Sequence, residues 1–330
     1  MTKKPTIAVI AGGDSSEFVV SVKSGANVLA AIDTQKFSPW LVQMRGDDWQ
    51  VMQGDKQIAP VNKSDFSFVL NNEKIQFDFA YITIHGTPGE DGILQGYFDL
   101  LNIPYSTSNV HSSSLTFNKW FCNNYLKSFG IKMARSVKLN KGQIANSHEI
   151  VKKLGLPLFV KPNAGGSSFG ITKVKTESEL LPAIESAWAE SSDALVEEYI
   201  GGTEFTCGLV KLGDKKIVFP VTEVIPKNEF FDFEAKYTPG ATDEITPARL
   251  PDELYEQCQK LSAEIYDHCH CSGIVRVDYI LKNKEFYFLE VNTTPGMTAT
   301  SFIPQQINAM GLTLKEILSQ VIEDKLNSNQ

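Results

Sequence analysis

Two stretches of the chain concentrate side chains that could hold phosphate and a metal ion. In the first, residues 159–174 (FVKPNAGGSSFGITKV), Lys161 ends an apolar run and is followed by two adjacent glycines and by Ser167 and Ser168. Glycines let the backbone approach a ligand closely, and the N–H groups after them can converge on anionic oxygens. The stretch contains neither G-x-G-x-x-G nor a Walker A motif. It therefore indicates a phosphate-binding loop of another type, with an ordinary hairpin loop as the alternative.

The second stretch predicts a β-hairpin that carries three oxygen ligands. Two runs rich in apolar and aromatic residues, RVDYIL and EFYFLEVN, flank the short segment KNK. Pairing around that turn brings Asp278 close to Glu290 and Asn292, and strand alternation puts Asp278 on the face of Arg276. Carboxylate and amide oxygens on adjacent strands suit Mg²⁺, which completes its shell with water and substrate phosphates. A solvated sheet edge is the alternative, but the apolar neighbours disfavour it because unpaired polar groups are costly to bury.

Two more polar loops are candidates for ligand binding. HGTPGEDG begins with His85 directly after an apolar run, and its glycines suggest close approach of the backbone to a ligand. NTTPGMTATS follows the hairpin at once and offers the N–H of Gly296 and the hydroxyl of Ser301. A polar surface loop and a plain Pro-Gly turn are the respective alternatives.

The elements that must position these residues indicate an α/β fold. The run TIAVIAGG at residues 6–13 is typical of a parallel strand buried on both faces, and the alternation after it predicts a doubly wound parallel sheet over about the first 110 residues. Ligands of such sheets bind beyond the carboxyl ends of the strands, where Glu17 and the HGTPGEDG loop would lie. A small α+β unit is expected to end near Gly202. In the remaining unit, residues 227–247 show no clear period and are predicted to form a lid.

Composition argues against several classes of partner. The 330 residues are enough for two or three domains, and 42% hydrophobic with 21% charged residues is typical of a globular protein. A formal charge of −8 argues against a general surface for nucleic acid or for an anionic membrane, because both are bound through Lys and Arg. No segment of the sequence approaches the roughly 18 apolar residues of a membrane span. Five scattered cysteines suggest no disulfide framework and a reducing, cytoplasmic compartment.

Taken together, these residues resemble the D-alanine:D-alanine ligases of the ATP-grasp superfamily. Seven blocks in the same order, over essentially the whole chain, carry the resemblance: AGGDSSEFVVSVKSG, HGTPGEDGILQG, VKPNAGGSSFGITKV, EEYIGGTEFT, FFDFEAKY, GIVRVDYIL and LEVNTTPGMTATS. The resemblance implies a three-domain α/β architecture. Residues 1–112 would form an N-terminal substrate domain, residues 113–202 the central subdomain, and residues 203–330 the C-terminal domain with the metal site and the lid.

The same resemblance implies that ATP, a co-substrate, binds between the central and C-terminal domains together with two Mg²⁺ ions, for which Mn²⁺ could substitute. The phosphates would be contacted by Lys119, Lys161, Lys236, Ser167 and Ser168. The adenine pocket and the ribose site would be formed by Glu197, Tyr199, Ile200 and Glu204. The metal ligands would be Asp278, Glu290 and Asn292.

The implied reaction joins two D-alanine molecules through a D-alanyl phosphate and supplies peptidoglycan precursors. Glu17 would hold the ammonium of the first D-alanine in a hydrogen-bonded set with Ser167 and Tyr237. His85 would lie close to the substrates. The small-molecule partners would be ATP and D-alanine, and the resemblance also suggests a homodimer.

Charge that develops on the reacting carbonyl oxygen would be stabilised by other residues. The resemblance assigns this role to Arg276 and to the N–H of Gly296. It also implies that Ser301 and Lys236 receive the carboxylate of the second substrate.

The sequence departs from the family pattern at positions around the nucleotide. Asn118 precedes Lys119 where the family usually has aspartate, and Cys122 and Asn123 stand where a second lysine is expected. In the lid, the tyrosines common in the family are replaced by Phe231 and Phe233. These changes affect the lid and nucleotide contacts more than the reaction itself.

Several alternatives remain open at the level of sequence. The nearest is a ligase for D-alanine with D-lactate or D-serine, although Tyr237 favours the dipeptide because phenylalanine occurs at that position in some D-lactate ligases. Another ATP-grasp ligase of a carboxylate and an amine would lack the HGTPGEDG and NTTPGMTATS blocks. A non-catalytic ATP-binding protein could discard the metal ligands, which are all present. A dinucleotide oxidoreductase is disfavoured because its glycine fingerprint is absent after TIAVIAGG.

Overall fold

A computed structural model describes residues 3–166, 169–227 and 242–328, and three larger β-sheets organise them. The first unit contains β1 (Thr6–Gly12), α1 (Phe18–Ala31), β2 (Ser38–Arg45), β3 (Asp48–Gln53), β4 (Lys56–Pro60), β5 (Ser67–Leu70), β6 (Glu73–Gln76), β7 (Phe79–Ile82) and α2 (Ile93–Leu101). Its sheet has the order β4-β3-β2-β1-β7, and β5 pairs with β6 separately. β1 is parallel to β2 and β7, whereas β3 and β4 are antiparallel. The predicted parallel arrangement therefore holds for three strands, and an antiparallel meander extends one edge.

β1 is apolar apart from Thr6 because helices cover both of its faces. Val9 packs in one hydrophobic cluster with Val28 of α1, whereas Ile10 packs in another with Phe98 of α2. Successive residues of a strand point to opposite faces, so burial on both sides removes any polar alternation. Glu17 lies at the start of α1, beyond the carboxyl end of β1, as predicted.

The second unit is built on an antiparallel sheet with a helical core on one side. Its elements are α3 (Val110–Phe117), α4 (Lys119–Lys127), β8 (Ser136–Asn140), α5 (Ser147–Leu154), β9 (Leu158–Pro162), β10 (Thr172–Val174), α6 (Leu180–Glu190) and β11 (Asp193–Glu198). The strand order is β10-β9-β11-β8. Val160 of β9 and Ile184 of α6 belong to the same buried cluster. Lys161, the next residue of β9, consequently points away from that core.

The third unit holds the predicted hairpin. Its elements are β12 (Thr203–Leu212), β13 (Lys215–Val218), β14 (Thr222–Pro226), β15 (Thr242–Ile245), α7 (Asp252–His268), β16 (Gly273–Lys282), β17 (Glu285–Asn292), α8 (Phe302–Ala309) and α9 (Leu314–Ser328). The order is β15-β14-β12-β16-β17, with β13 also on β12. β15 lies within the segment predicted to lack regular structure. This strand of four residues is too short and too polar to show a strand period, and its pairing with β14 determines its conformation.

Hydrophobic clusters join the units. Val321 of α9 and Ile303 of α8 pack with Val9 of the first sheet, and Leu126 of α4 packs in the core beneath the third sheet. The domain limits at 112 and 202 stay a prediction: residue 112 lies inside α3, whereas residue 202 directly precedes β12.

Two further features concern the cysteines and the length of the helices. All five cysteines are buried free thiols. Over residues 3–166, 169–227 and 242–328, no helix is both long and apolar enough to cross a membrane.

Candidate active site

The two predicted sets of site residues line two cavities that meet. A cleft of about 430 Å³ between the second and third sheets is lined by Lys119, Lys161, Glu197, Tyr199, Ile200 and Glu204. A second cavity, of about 130 Å³, is lined by Glu17, His85, Arg276, Asp278, Glu290, Asn292, Gly296 and Ser301. Glu204, Leu289 and Glu290 line both. Ser167, Ser168, Lys236 and Tyr237, like Phe231 and Phe233, lie outside the described residues.

Two buried lysines point toward the larger cleft. Lys161 pairs with Glu197 at 2.8 Å between Nζ and Oε2. Lys119 donates to the backbone oxygen of Gly165 at 2.7 Å and lies 3.4 Å from Glu290. Each ammonium is thus held by an internal acceptor in a position from which it can also meet phosphate oxygens.

Two residues that depart from the family pattern near Lys119 make hydrogen bonds within the protein. The side chain of Asn118 caps α4 by accepting from the N–H of Phe121 at 3.0 Å, and it also accepts from Asn163 Nδ2 at 3.0 Å. An amide pair therefore replaces the ion pair expected from an aspartate. Asn123 donates to Glu197 at 3.5 Å, but its buried Oδ1 has no hydrogen-bond partner in the described structure.

At the smaller cavity, the glycine loop of the second unit contacts the first unit. A Cβ added at Gly166 would lie 2.5 Å from Glu17 Oε2, so the backbone of the loop rests against this carboxylate. On the opposite side, a Cβ at Gly296 would lie 2.9 Å from Ser301 Oγ. Ser301 Oγ also accepts from the N–H of Thr298 at 3.1 Å. Close backbone approach thus explains glycine at both positions.

His85 is neutral near pH 7. Its Nε2 lies 3.3 Å from Ser24 Oγ. Burial lowers the pKa of His85, and the nearby carboxylate of Glu17 only partly opposes that effect. A neutral imidazole can accept or donate a proton next to the smaller cavity.

Sequence reasoning missed two acidic residues of this cavity, Glu90 and Glu244. Burial, reinforced by the charge of Glu17, raises the pKa of Glu90 to about 8. Burial likewise raises the pKa of Glu244, which accepts from Gln305 Nε2 at 2.5 Å. Glu90 lies inside the HGTPGEDG block, in which the histidine and the glycines are the stronger sequence signals.

The predicted metal ligands are adjacent, and their chemistry suits Mg²⁺. Asp278 pairs with Glu290 across β16 and β17, and Asn292 pairs with Arg276 two residues further along the strands. Even without the uncharged Glu90, the carboxylates of the cavity, among them Glu17, Asp278 and Glu290, outnumber its one arginine, so it favours bound cations. Two carboxylates and one amide on neighbouring strands are hard oxygen donors of the kind that Mg²⁺ accepts.

Comparison with known proteins agrees with the fold and the site. The cleft between two antiparallel sheets, lined with lysines and carboxylates, and the solved structures of similar shape define an ATP-grasp enzyme. The models "D-ala D-ala ligase N-terminus" and "D-ala D-ala ligase C-terminus" match residues 6–108 and 125–323. The chain therefore belongs to the D-alanine–D-alanine ligase family.

Individual relatives are similar over nearly the whole chain. D-alanine–D-alanine ligases of Phocaeicola vulgatus and Bacteroides fragilis are 55% and 52% identical, each over 98% of this chain and 99% of the relative. The structure of VanG D-Ala:D-Ser ligase from Enterococcus faecalis is similar with a TM-score of 0.83 and 34% identity, covering 97% of this chain and 99% of that one. D-alanine–D-alanine ligase from Bacillus anthracis complexed with ATP has a TM-score of 0.79 and 33% identity over 99% of each chain.

Proposed function

We propose that this protein joins two D-alanine molecules, with ATP converted to ADP and phosphate, and supplies D-alanyl-D-alanine for peptidoglycan. The observation that carries the proposal is the junction of the two cavities at Glu204, Leu289 and Glu290. At this junction the terminal phosphate of a nucleotide in the larger cleft would meet a carboxylate in the smaller cavity. Phosphoryl transfer to a carboxylate needs such proximity together with positive charge.

In the first step, a carboxylate oxygen of one D-alanine attacks the γ-phosphorus and ADP leaves. Lys119 and Lys161 would contact the phosphates, with Ser167, Ser168 and Lys236 completing the set. Mg²⁺, when held by Asp278, Glu290 and Asn292, would neutralise charge on the transferring phosphoryl group. Glu17 would orient the substrate by accepting from its ammonium, supported by Ser167 and Tyr237. The adenine would lie against Glu197, Tyr199 and Ile200, and the ribose near Glu204.

In the second step, the amine of the other D-alanine attacks the acyl carbon, and the bond to phosphate oxygen breaks. Arg276 and the N–H of Gly296 would stabilise the negative oxygen of the tetrahedral intermediate. Ser301 and Lys236 would receive the carboxylate of the second substrate. His85 lies on the cavity wall beside Glu17. Exclusion of water matters here, since an acyl phosphate hydrolyses, and residues 227–247 are proposed as the lid.

A second candidate is ligation of D-alanine to D-serine. The observation in its favour is the similarity to VanG D-Ala:D-Ser ligase, at 34% identity over nearly the whole chain. Tyr237 favours D-alanine as the second substrate.

The proposal also covers the oligomeric state and the cellular compartment of the enzyme. We infer a homodimer, supported by an exposed apolar face of α2 at Ile93 and Leu100. We place the enzyme in the cytoplasm, where ATP is available and where five free thiols remain reduced.

The experiment is a phosphate-release assay with ATP and Mg²⁺. D-alanine alone should support turnover, and adding D-lactate or D-serine should give little mixed product. Absence of phosphate release with D-alanine alone would overturn the proposal, and faster formation of the D-serine product would favour the second candidate. A parallel assay without added divalent metal tests the metal requirement.

A further inference from the structure

The carboxylate of Asp278 is saturated by protein donors. Its Oδ1 accepts from Thr206 Oγ1 at 2.5 Å and from Arg276 Nε at 2.9 Å. Its Oδ2 accepts from a terminal nitrogen of Arg276 at 2.8 Å and from Asn292 Nδ2 at 3.0 Å. An ionised carboxylate offers about four lone-pair positions, so these four bonds occupy them all. A metal ion can reach Asp278 only if a donor leaves.

Of the three donor side chains, Thr206 is poorly placed to leave, and Asn292 can meet a metal without leaving. Thr206 is buried on β12 directly opposite Asp278, and its short side chain is fixed by the strand pairing. Asn292 lies on β17, and its Nδ2 bond to Asp278 leaves its amide oxygen available to a metal. Arg276 is different because its long side chain supplies two of the four bonds and can swing without moving the backbone.

The smaller cavity offers the guanidinium a place to go. The Cζ atom of Arg276 already lies 5.4 Å from the centre of the Phe302 ring, a cation–π arrangement that does not depend on Asp278. Glu244 lines the same cavity and supplies a carboxylate on that side. Arg276 can therefore leave Asp278 without losing all of its favourable contacts.

We propose that Arg276 and the divalent metal compete for Asp278, so that metal loading releases the guanidinium into the substrate cavity. The inference rests on the proposed function for the identity of the metal and the role of the arginine. Exchange of one cation for another keeps the buried carboxylate compensated at every stage, which avoids the cost of leaving it unpaired. The donor for the tetrahedral intermediate thus becomes available when the metal and its nucleotide are in place.

The test compares the affinity of the protein for ADP with and without Mn²⁺, by calorimetry. Arg276→Lys keeps the charge but cannot chelate both carboxylate oxygens. It should therefore strengthen the Mn²⁺-dependent gain in ADP affinity by about tenfold over the wild type. Arg249→Lys is the matched control, because Arg249 makes a similar two-bond pair with Glu223 at 2.8 and 3.0 Å. An unchanged or weaker gain in Arg276→Lys would overturn the competition.

A second measurement uses the wild-type protein, so that it does not depend on a variant's stability. The Nε–H resonance that is absent from the spectrum of Arg276→Lys should shift when Mg²⁺ and ADP are added together, and should hold its position with ADP alone. A resonance that ignores the metal would contradict the release. Both measurements omit D-alanine, whereas the proposed function is tested by D-alanine-dependent phosphate release, so the two failures are distinguishable.

Discussion

Glu90 shows how strongly a single buried acid can depend on its neighbours. Its two oxygens accept backbone N–H bonds, from Gly86 at 2.7 Å and from Thr294 at 3.3 Å, and such bonds favour the charged form. Burial and the charge of Glu17 outweigh them and raise the pKa of Glu90 to about 8. At neutral pH the side chain is consequently an uncharged acid that ties the HGTPGEDG loop to the loop after β17.

The raised pKa makes folding stability depend on pH in a defined direction. The unfolded chain releases this proton near pH 4.5, whereas the folded protein keeps it until about pH 8, so this group should lower stability as pH rises between those values. In the metal-free protein, the thermal midpoint should fall less steeply between about pH 5 and about pH 9 for Glu90→Gln than for the wild type. The exposed Glu73→Gln is the control, and an equal slope in Glu90→Gln and wild type would contradict the assignment.

Contact between the glycine loop and Glu17 gives a second prediction at this scale. Alanine at Gly166 would place Cβ 2.5 Å from Glu17 Oε2, and the flexible end of that side chain must move away. We expect Gly166→Ala to raise the KM for D-alanine by at least about tenfold, because substrate orientation depends on sub-ångström placement.

The thermal midpoint of Gly166→Ala and its affinity for ADP should change little. Gly96→Ala is the control, since a Cβ there meets only Val110 at 3.7 Å. A normal KM in Gly166→Ala would contradict the expected displacement of Glu17 from the D-alanine ammonium.

At the scale of elements, the hairpin shows which part of the site sequence patterns can predict. The alternation predicts β16, β17 and their tight turn, and positive φ angles at Asn283 and Lys284 fit a two-residue turn. Regular pairing from that turn would put Asp278 opposite Leu289. A bulge next to Asp278 shifts the register and brings Glu290 onto its face instead. Pairing around the turn predicted that Asp278 and Glu290 lie close together, but the spacing could not reveal the bulge that places them directly opposite each other.

Gln306 of α8 makes hydrogen bonds to β12 at the point where the strand that pairs with β12 changes from β14 to β13. β12 pairs with β14 up to Thr206 and with β13 from Leu209 onward. Gln306 fills the gap: its Oε1 accepts from the N–H of Gly208 at 3.0 Å, and its Nε2 donates to the carbonyl of Thr206 at 3.1 Å. This fully buried side chain thus holds the strand that carries the Thr206 donor to Asp278.

Gln306→Met conserves the approximate volume and removes those bonds. The buried N–H of Gly208 would lose its acceptor, and the carbonyl of Thr206 and the hydroxyl of Thr222 would each lose a donor, so we expect the free energy of unfolding to fall by about 3 kcal/mol. Urea denaturation measures the change. Asn308→Met, at an exposed position of the same helix, should be near neutral, and a similarly small effect at Gln306 would argue against the bridging role.

For the whole molecule, order along the sequence did not predict which cores form. The second sheet has its own buried cluster, yet α4, which precedes it, packs beneath the third sheet through Leu126. Similarly, Val321 of the last helix belongs to the same hydrophobic cluster as Val9 of the first strand. Local patterns specify the elements, whereas contacts between residues distant in sequence depend on complementary shape that those patterns do not encode. The larger cleft, which is proposed to bind the nucleotide, lies between the second sheet on one side and the third sheet on the other.

The exposed face of α2 tests the assembly of the whole molecule. Leu100 is 84% exposed and Ile93 is 64% exposed, and their seven-residue spacing places them on one face of the helix. A second copy that pairs the same face about a two-fold axis would bury both side chains. Leu100→Asp should therefore shift the sedimentation coefficient from dimer to monomer, because a carboxylate in such an interface is costly to desolvate. Val69→Asp, at another exposed apolar position, should leave the dimer intact, and an unaltered dimer in Leu100→Asp would exclude this face.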